Sequence, residues 1–379
     1  MVRHPYTHTL HSPTESLLVL VCGKNFQVVD TNDGSIKASS CDVPEEIKSS
    51  VVEIKDGHTD VIRTLAFSPD GKLLATSGED KSLKIWTVSN WSCLNTRPVI
   101  KRYNAINFST ENDMIFVADK FGDVYKLPID PTTGHEELLL GHVSMTTDML
   151  LTPGNKHIIT ADRDEKIRVS NYPDTYNIHS FCLGHTEFVS QVRLLSFAPE
   201  LLVSGGGDGM IMVWDYLNGS LKQAINLREI LDQQSCQPIT GNHVFVTTLE
   251  VSPQNKDVLV LIEKYNNGLV FRWNEASATL DFQQVISLNA DPLDGAYDNN
   301  GNLWLSYSDK SSDLVVSFKD QDGKYEQSEA KLVNEFGSCE VETLPNLYPT
   351  GLLRKITVPE EEINEAEDAE QPKKKAKSE

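Results

Sequence analysis

The chain is written in short apolar bursts separated by turns. Leu17-Leu18-Val19-Leu20-Val21-Cys22, Leu73-Leu74-Ala75-Thr76 and Leu83-Lys84-Ile85-Trp86 have strand length, and Val61 to Phe67 is strand-like. Ser68-Pro69-Asp70-Gly71 and Asn32-Asp33-Gly34 are turn formers beside them. Runs this short, punctuated by Gly, Pro, Asn and Asp, predict an all-β chain. One stretch, 226–242, lacks the alternation, and Leu227-Arg228-Glu229-Ile230-Leu231 inside it reads as a short helix. No run of 18 consecutive apolar residues occurs, so no membrane-spanning helix is expected.

The bursts repeat. Gly57-His58 is followed by a strand, a turn, a second strand ending near Thr76, a turn to Asp80 and a third strand ending at Trp86. His142, Thr160 and Asp164 repeat this order, as do His185, Ser204, Asp208 and Trp214. In each unit a hydroxyl residue sits four positions before the Asp. His142 to His185 spans 43 residues, and His58 to His142 spans 84, or two periods of 42. A degenerate unit lies between, with strands at Ala105 to Phe108 and Met114 to Ala118 and a third strand, Gly122 to Leu127, that lacks the Trp. Period and signature residues resemble WD repeats, whose units supply about four strands each and close radially into a β-propeller.

Counting onward, residues 10–50 form a first blade and 51–225 hold four units. Val244 to Trp273 is read as a sixth and Val285 to Phe318, with Trp304, as a seventh. The expected architecture is a seven-bladed WD-repeat β-propeller over residues 1–358, with an insertion at about 226–242. Residues 359–379 are acidic, poor in aromatics and end in Pro372-Lys373-Lys374-Lys375-Ala376-Lys377. Such a composition cannot bury enough apolar surface to offset its ordering entropy, so a disordered tail is expected. Lys373, Lys374, Lys375 and Lys377 read as a nuclear localisation cluster, which places the protein in the nucleus.

Composition narrows the chemistry. The formal charge of −21 argues against wrapping nucleic acid, because phosphate binding rests on clustered Lys and Arg. Six scattered cysteines, none in a Cys-x-x-Cys pair, are expected to be reduced thiols. His185, Ser204 and Asp208 are the three residue types of a hydrolytic triad, and His58, Thr76 and Asp80 repeat them. Repetition favours structure, since a nucleophile needs one activated site whereas a strand-joining network recurs with every blade. His58, Thr76, Asp80 and Trp86, then His142, Thr160 and Asp164, then His185, Ser204, Asp208 and Trp214, are therefore assigned to blade construction. Ser170 stands where the third indole belongs. Gly205-Gly206-Gly207-Asp208-Gly209 lacks the strand–loop–helix frame and Lys-Ser/Thr ending of a phosphate loop. No metal-ligand spacing or cofactor fingerprint is present, and no catalytic residue is assigned.

The run Asp162-Arg163-Asp164-Glu165-Lys166-Ile167-Arg168 is denser in charge than a hairpin requires. Arginine is favoured in paired interface contacts, so this turn and strand are a candidate contact edge.

Three segments carry a more specific resemblance: Asp119 to Leu127, Ala161 to Ser170 and Phe181 to Ser190, together with Leu347-Tyr348-Pro349-Thr350-Gly351-Leu352-Leu353-Arg354-Lys355. They resemble the non-catalytic WD-repeat subunit of the eukaryotic tRNA 7-methylguanosine methyltransferase. The resemblance implies a heterodimer with a catalytic subunit that holds S-adenosylmethionine and methylates a guanosine in the tRNA variable loop. It implies no cofactor on this chain, and tRNA bound mainly through the partner. It also implies a basic contact residue, carried over to Arg168, with Lys166 and Arg163, then Lys120 and Phe121, as further candidates. Two other readings remain open at this stage. One is a ubiquitin-ligase substrate receptor, although Leu217 follows Trp214-Asp215-Tyr216 where such receptors carry Arg. The other is direct RNA binding by a basic face.

Overall fold

The computed structural model describes residues 2–234, 244–308, 313–328, 340–341, 347 and 353. Seven antiparallel sheets follow one another along the chain, from His8–His11 at the start of blade one to Lys324–Ser328 at the end of blade seven. Six have four strands, and blade one gains a fifth, Val52–Glu53, which runs parallel to Ile36–Ser39. The protein is a seven-bladed β-propeller. The expected disordered tail and its lysine cluster lie outside the described residues.

Burial explains the strand pattern. A second strand has a neighbouring blade on each face, and Asp257–Ile262 is buried at every position. An outer strand has one wet edge, and Cys93–Pro98 alternates between half-buried and exposed. Between blades the apolar faces interlock. Trp86 of blade two meets Phe26 of blade one edge to face, with ring centroids 5.3 Å apart, in a cluster with Val19 and Ile62.

The innermost strands line a central channel of roughly 790 Å³. Their inner edges have no strand partner, so side chains satisfy backbone groups across the blade gaps. Asn104 Nδ2 donates to the Thr146 carbonyl at 2.8 Å, and Asp148 Oδ2 accepts from Val192 N at 3.0 Å. Gln191 Oε1 accepts from Leu249 N at 2.7 Å. Asp294 closes the ring: its Oδ2 accepts from Thr9 N at 2.8 Å and its Oδ1 from Thr248 Oγ1 at 2.9 Å. This one carboxylate ties blades six, seven and one. Each blade is continuous in sequence, and Val2–Arg3 pairs separately with Glu340–Val341.

Two details differ from the sequence reading and one agrees with it. Blade seven runs from Pro292–Tyr297 to Lys324–Ser328, because Val285 belongs to the outer strand of blade six, Thr279–Ser287. The helix in the insertion is present over Leu227–Gln233, N-capped by the Asn226 side chain, while 235–243 lie outside the described residues. Cys93 and Cys182 are free thiols, but Cys41 is disulfide-bonded, against the expectation of six thiols.

Candidate docking edge on blade four

The His and hydroxyl sets form as strand-joining networks within their blades. His58 Nδ1 lies 2.9 Å from Asp80 Oδ2, and Nε2 lies 2.8 Å from Thr76 Oγ1. A carboxylate only accepts, so Nδ1 carries the proton and Nε2 takes the hydroxyl's. Trp86 Nε1 then donates to the same hydroxyl at 2.9 Å. His185, Asp208, Ser204 and Trp214 repeat this at 2.9, 2.7 and 2.8 Å. Burial pulls His58 below the usual imidazole value despite Asp80. Burial pushes the Asp80 carboxyl up, but the Thr59 N–H, Ser82 and His58 outweigh it and hold it below the usual carboxylate range. Thr76, Thr160 and Ser204 are 0% exposed, so no substrate reaches these hydroxyls.

Blade four departs from the expected set in one member. His142 Nδ1 bonds Asp162 Oδ2 at 3.1 Å, and His142 Nε2 lies 2.7 Å from Thr160 Oγ1. Asp162, not Asp164, completes this network. The hydroxyl-plus-two position is Gly78 in blade two and Gly206 in blade five, where an added Cβ would fall 2.6 and 2.1 Å from the carbonyls of Val61 and Phe188. There the carboxylate comes from hydroxyl-plus-four. In blade four an aspartate occupies plus-two itself, and its Oδ1 also accepts from Asp164 N and Lys166 N at 2.9 and 3.0 Å. Asp119 in blade three and Asp298 in blade seven cap their turns the same way.

Arg168 is the most constrained of the candidates. Its Nε donates to Ser170 Oγ at 2.9 Å, Nη1 to the Gly141 carbonyl at 3.2 Å and Nη2 to the Thr175 carbonyl at 3.2 Å. All three acceptors are neutral, and among the described residues no carboxylate pairs with it. Burial lowers its affinity for the proton with no opposing charge to restore it. Lys166 is exposed, with Nζ on the Asp164 carbonyl at 3.1 Å. Arg163 is turned elsewhere, since its Nε donates to the Leu353 carbonyl at 3.0 Å.

The blade-three candidates join the same surface. Phe121 is 58% exposed, between the ammonium groups of Lys101 at 4.8 Å and Lys120 at 5.1 Å from its ring centre. Lys101, which sequence reasoning passed over, forms ion pairs with Asp119 and Asp123, each at 3.1 Å. Gly122 follows at φ +105°, and its carbonyl accepts from His142 N at 2.9 Å. A side chain there would meet the Ser144 and His142 carbonyls at 2.4 and 2.8 Å, so glycine is required. The Phe121 turn therefore abuts the Gly141-His142 loop, which in turn abuts Arg168.

Around these cations the surface is apolar. Leu138, Val143, Tyr176, Ile178, Phe181 and Leu183 are all exposed, and Phe181 is the cross-strand partner of Arg168. Several large exposed apolar side chains on these two blades suit an interaction surface.

The comparisons with known proteins bear on what it meets. The model of a family described as tRNA methyltransferase TRM82 WD40 domain matches residues 27–137 and 130–336. The chain belongs to this family. A relative in Danio rerio, the tRNA (guanine-N(7)-)-methyltransferase non-catalytic subunit wdr4, is 36% identical over 292 residues, covering 76% of this chain and 69% of that one. The Homo sapiens non-catalytic subunit WDR4 is 31% identical over 309 residues, covering 79% and 74%. The Drosophila melanogaster subunit wuho is 43% identical over 162 residues, covering 42% and 38%. Among solved structures, the RRP9 WD40 repeats superpose with a TM-score of 0.65 at 17% identity, covering 80% of this chain and 88% of that one, a likeness of fold alone. These relatives are each named as the non-catalytic subunit of that methyltransferase.

Proposed function

We propose that the chain binds and stabilises the catalytic subunit of a tRNA (guanine-N7-)-methyltransferase through the blade-three and blade-four edge. In this reading it is required for 7-methylguanosine formation in the tRNA variable loop. The observation that carries the reading is Arg168: a half-buried guanidinium without a carboxylate, inside an exposed apolar surface. Removing an unpaired charge from water is unfavourable, so a partner carboxylate is the complement the site lacks. Arg168 is the principal contact, with Lys166, Lys120 and Phe121 beside it and Arg163 at the margin.

S-adenosylmethionine and most of the tRNA belong to the partner in this account, which suits a chain of charge −21. The complex acts in the nucleus. Co-expression of the two subunits followed by methylation of unmodified tRNA tests the proposal. The pair is expected to co-purify and to form 7-methylguanosine, while this chain alone forms none. Co-purification with a ubiquitin-ligase scaffold in place of a methyltransferase would overturn it.

A further inference from the structure

Blade four has lost the indole that blades two and five keep, and the loss has a use. Ser170 pairs with Ile158 in the register at which Trp86 pairs with Leu74 and Trp214 with Leu202. Arg168 pairs with Thr160 as Lys84 pairs with Thr76 and Met212 with Ser204. In blade five the indole rests on the glycine before the histidine: a Cβ on Gly184 would lie 3.0 Å from Trp214 Cη2. In blade four the corresponding glycine is Gly141, whose carbonyl accepts from Arg168 Nη1 at 3.2 Å, while a Cβ on it would lie 3.0 Å from Asp123 Oδ1. The same guanidinium reaches Ser170 Oγ. Arg168 thus spans from the Ser170 position to the Gly-His loop, as the blade-five indole does.

We propose that Ser170 is a positioning residue of the docking edge. It vacates the indole's place for the Arg168 side chain and anchors Nε so that the guanidinium is presented to a partner carboxylate. This rests on the reading of blade four as the methyltransferase docking edge. Ser170 is 0% exposed, so it acts through Arg168 and not by touching the partner. A guanidinium has five N–H donors. Ser170, Gly141 and Thr175 take one each from Nε, Nη1 and Nη2. One N–H therefore remains on each terminal nitrogen, a pair suited to the two oxygens of a carboxylate. Held by three anchors, Arg168 loses little rotamer freedom on binding. A tryptophan at this position would restore the donor that Thr160 lacks and would evict the guanidinium.

The test compares Ser170→Trp, Ser170→Ala, Ser170→Thr and Arg168→Glu in the full chain. Affinity for the purified catalytic subunit and the thermal midpoint are measured for each. S170W is expected to keep or raise the midpoint while weakening binding at least tenfold, a separation that a merely structural residue would not give. S170A is expected to weaken binding roughly three- to tenfold through loss of one charge-assisted hydrogen bond. S170T, which retains a hydroxyl, is expected to bind within about twofold of the native chain. If S170W fails to fold, the contrast between S170A and S170T decides. Binding unchanged in S170W and S170A while R168E loses it would overturn the role of Ser170 alone. Unchanged binding in R168E would remove the docking reading beneath it as well.

Discussion

His142 Nδ1 lies 3.1 Å from Asp162 Oδ2, so the carboxylate that closes the blade-four network ends a strand and does not come from the following turn. Burial pushes Asp162 up, but the His142 bond and the Lys166 N–H more than offset it and hold the carboxyl below its ordinary value. Removing this carboxylate strands the His142 Nδ1 proton and the N–H groups of Asp164 and Lys166. Asp162→Ala is therefore expected to cost about 2–3 kcal/mol, and Asp164→Ala, which leaves these three bonds in place, less. Urea denaturation of both variants measures the contrast. Equal losses would mean that the two aspartates share the network.

Much of this architecture was legible in the chain, and the exceptions have physical causes. The 42–43-residue period and the His, hydroxyl and Trp positions recur, so each copy supports the others. Asp164 misled because counting four from the hydroxyl carries over the spacing of Gly78 and Gly206, and the clue was an aspartate at the glycine position. The apolar docking surface was not legible. Ile178-His179-Ser180-Phe181-Cys182-Leu183 reads like any strand, and Phe181 is exposed only because the ring makes this strand outermost. The channel carboxylates gave no local signal at all. Asp294 finds Thr9 across 285 residues of chain, through closure of the whole propeller.

That closure gives a second prediction. Burial raises the Asp294 carboxyl above its ordinary value, against the Thr9, Gly295 and Thr248 bonds that favour the charged form. A carboxyl raised in the fold binds its proton more tightly there than in the unfolded chain. Its contribution therefore grows as pH falls through the raised value and declines as pH rises. Asp294→Asn keeps an acceptor for Thr9 N without the buried charge. At pH 8 it is expected to match or exceed the native chain in stability, with the advantage shrinking in acid. Asp294→Ala, which opens the junction, is expected to lose about 2 kcal/mol or more.

The histidines set the acid limit. Burial, reinforced by Arg63, lowers His8 to about 4, and burial lowers His58. A histidine depressed in the fold takes up its proton first in the unfolded chain, so stability is full above the ordinary value near 6.5 and drains as pH falls toward 4. Asp80, Asp162 and Asp208, held low, add losses below their ordinary range. Urea midpoints are expected to be flat from pH 7 to 8 and to fall steadily between pH 6.5 and 4. His8→Gln should reduce that slope, and an unchanged slope would assign it to other groups.

The central claim is that Arg168 meets the catalytic subunit. The most direct measurement is the dissociation constant of the full chain and its Arg168→Glu variant for that subunit, with circular dichroism to confirm an intact propeller. Reversing an interfacial charge that is paired on binding costs about 2–5 kcal/mol, so affinity should fall on the order of thirtyfold or more with the fold unchanged. A folded variant that binds as tightly as the native chain would contradict the account.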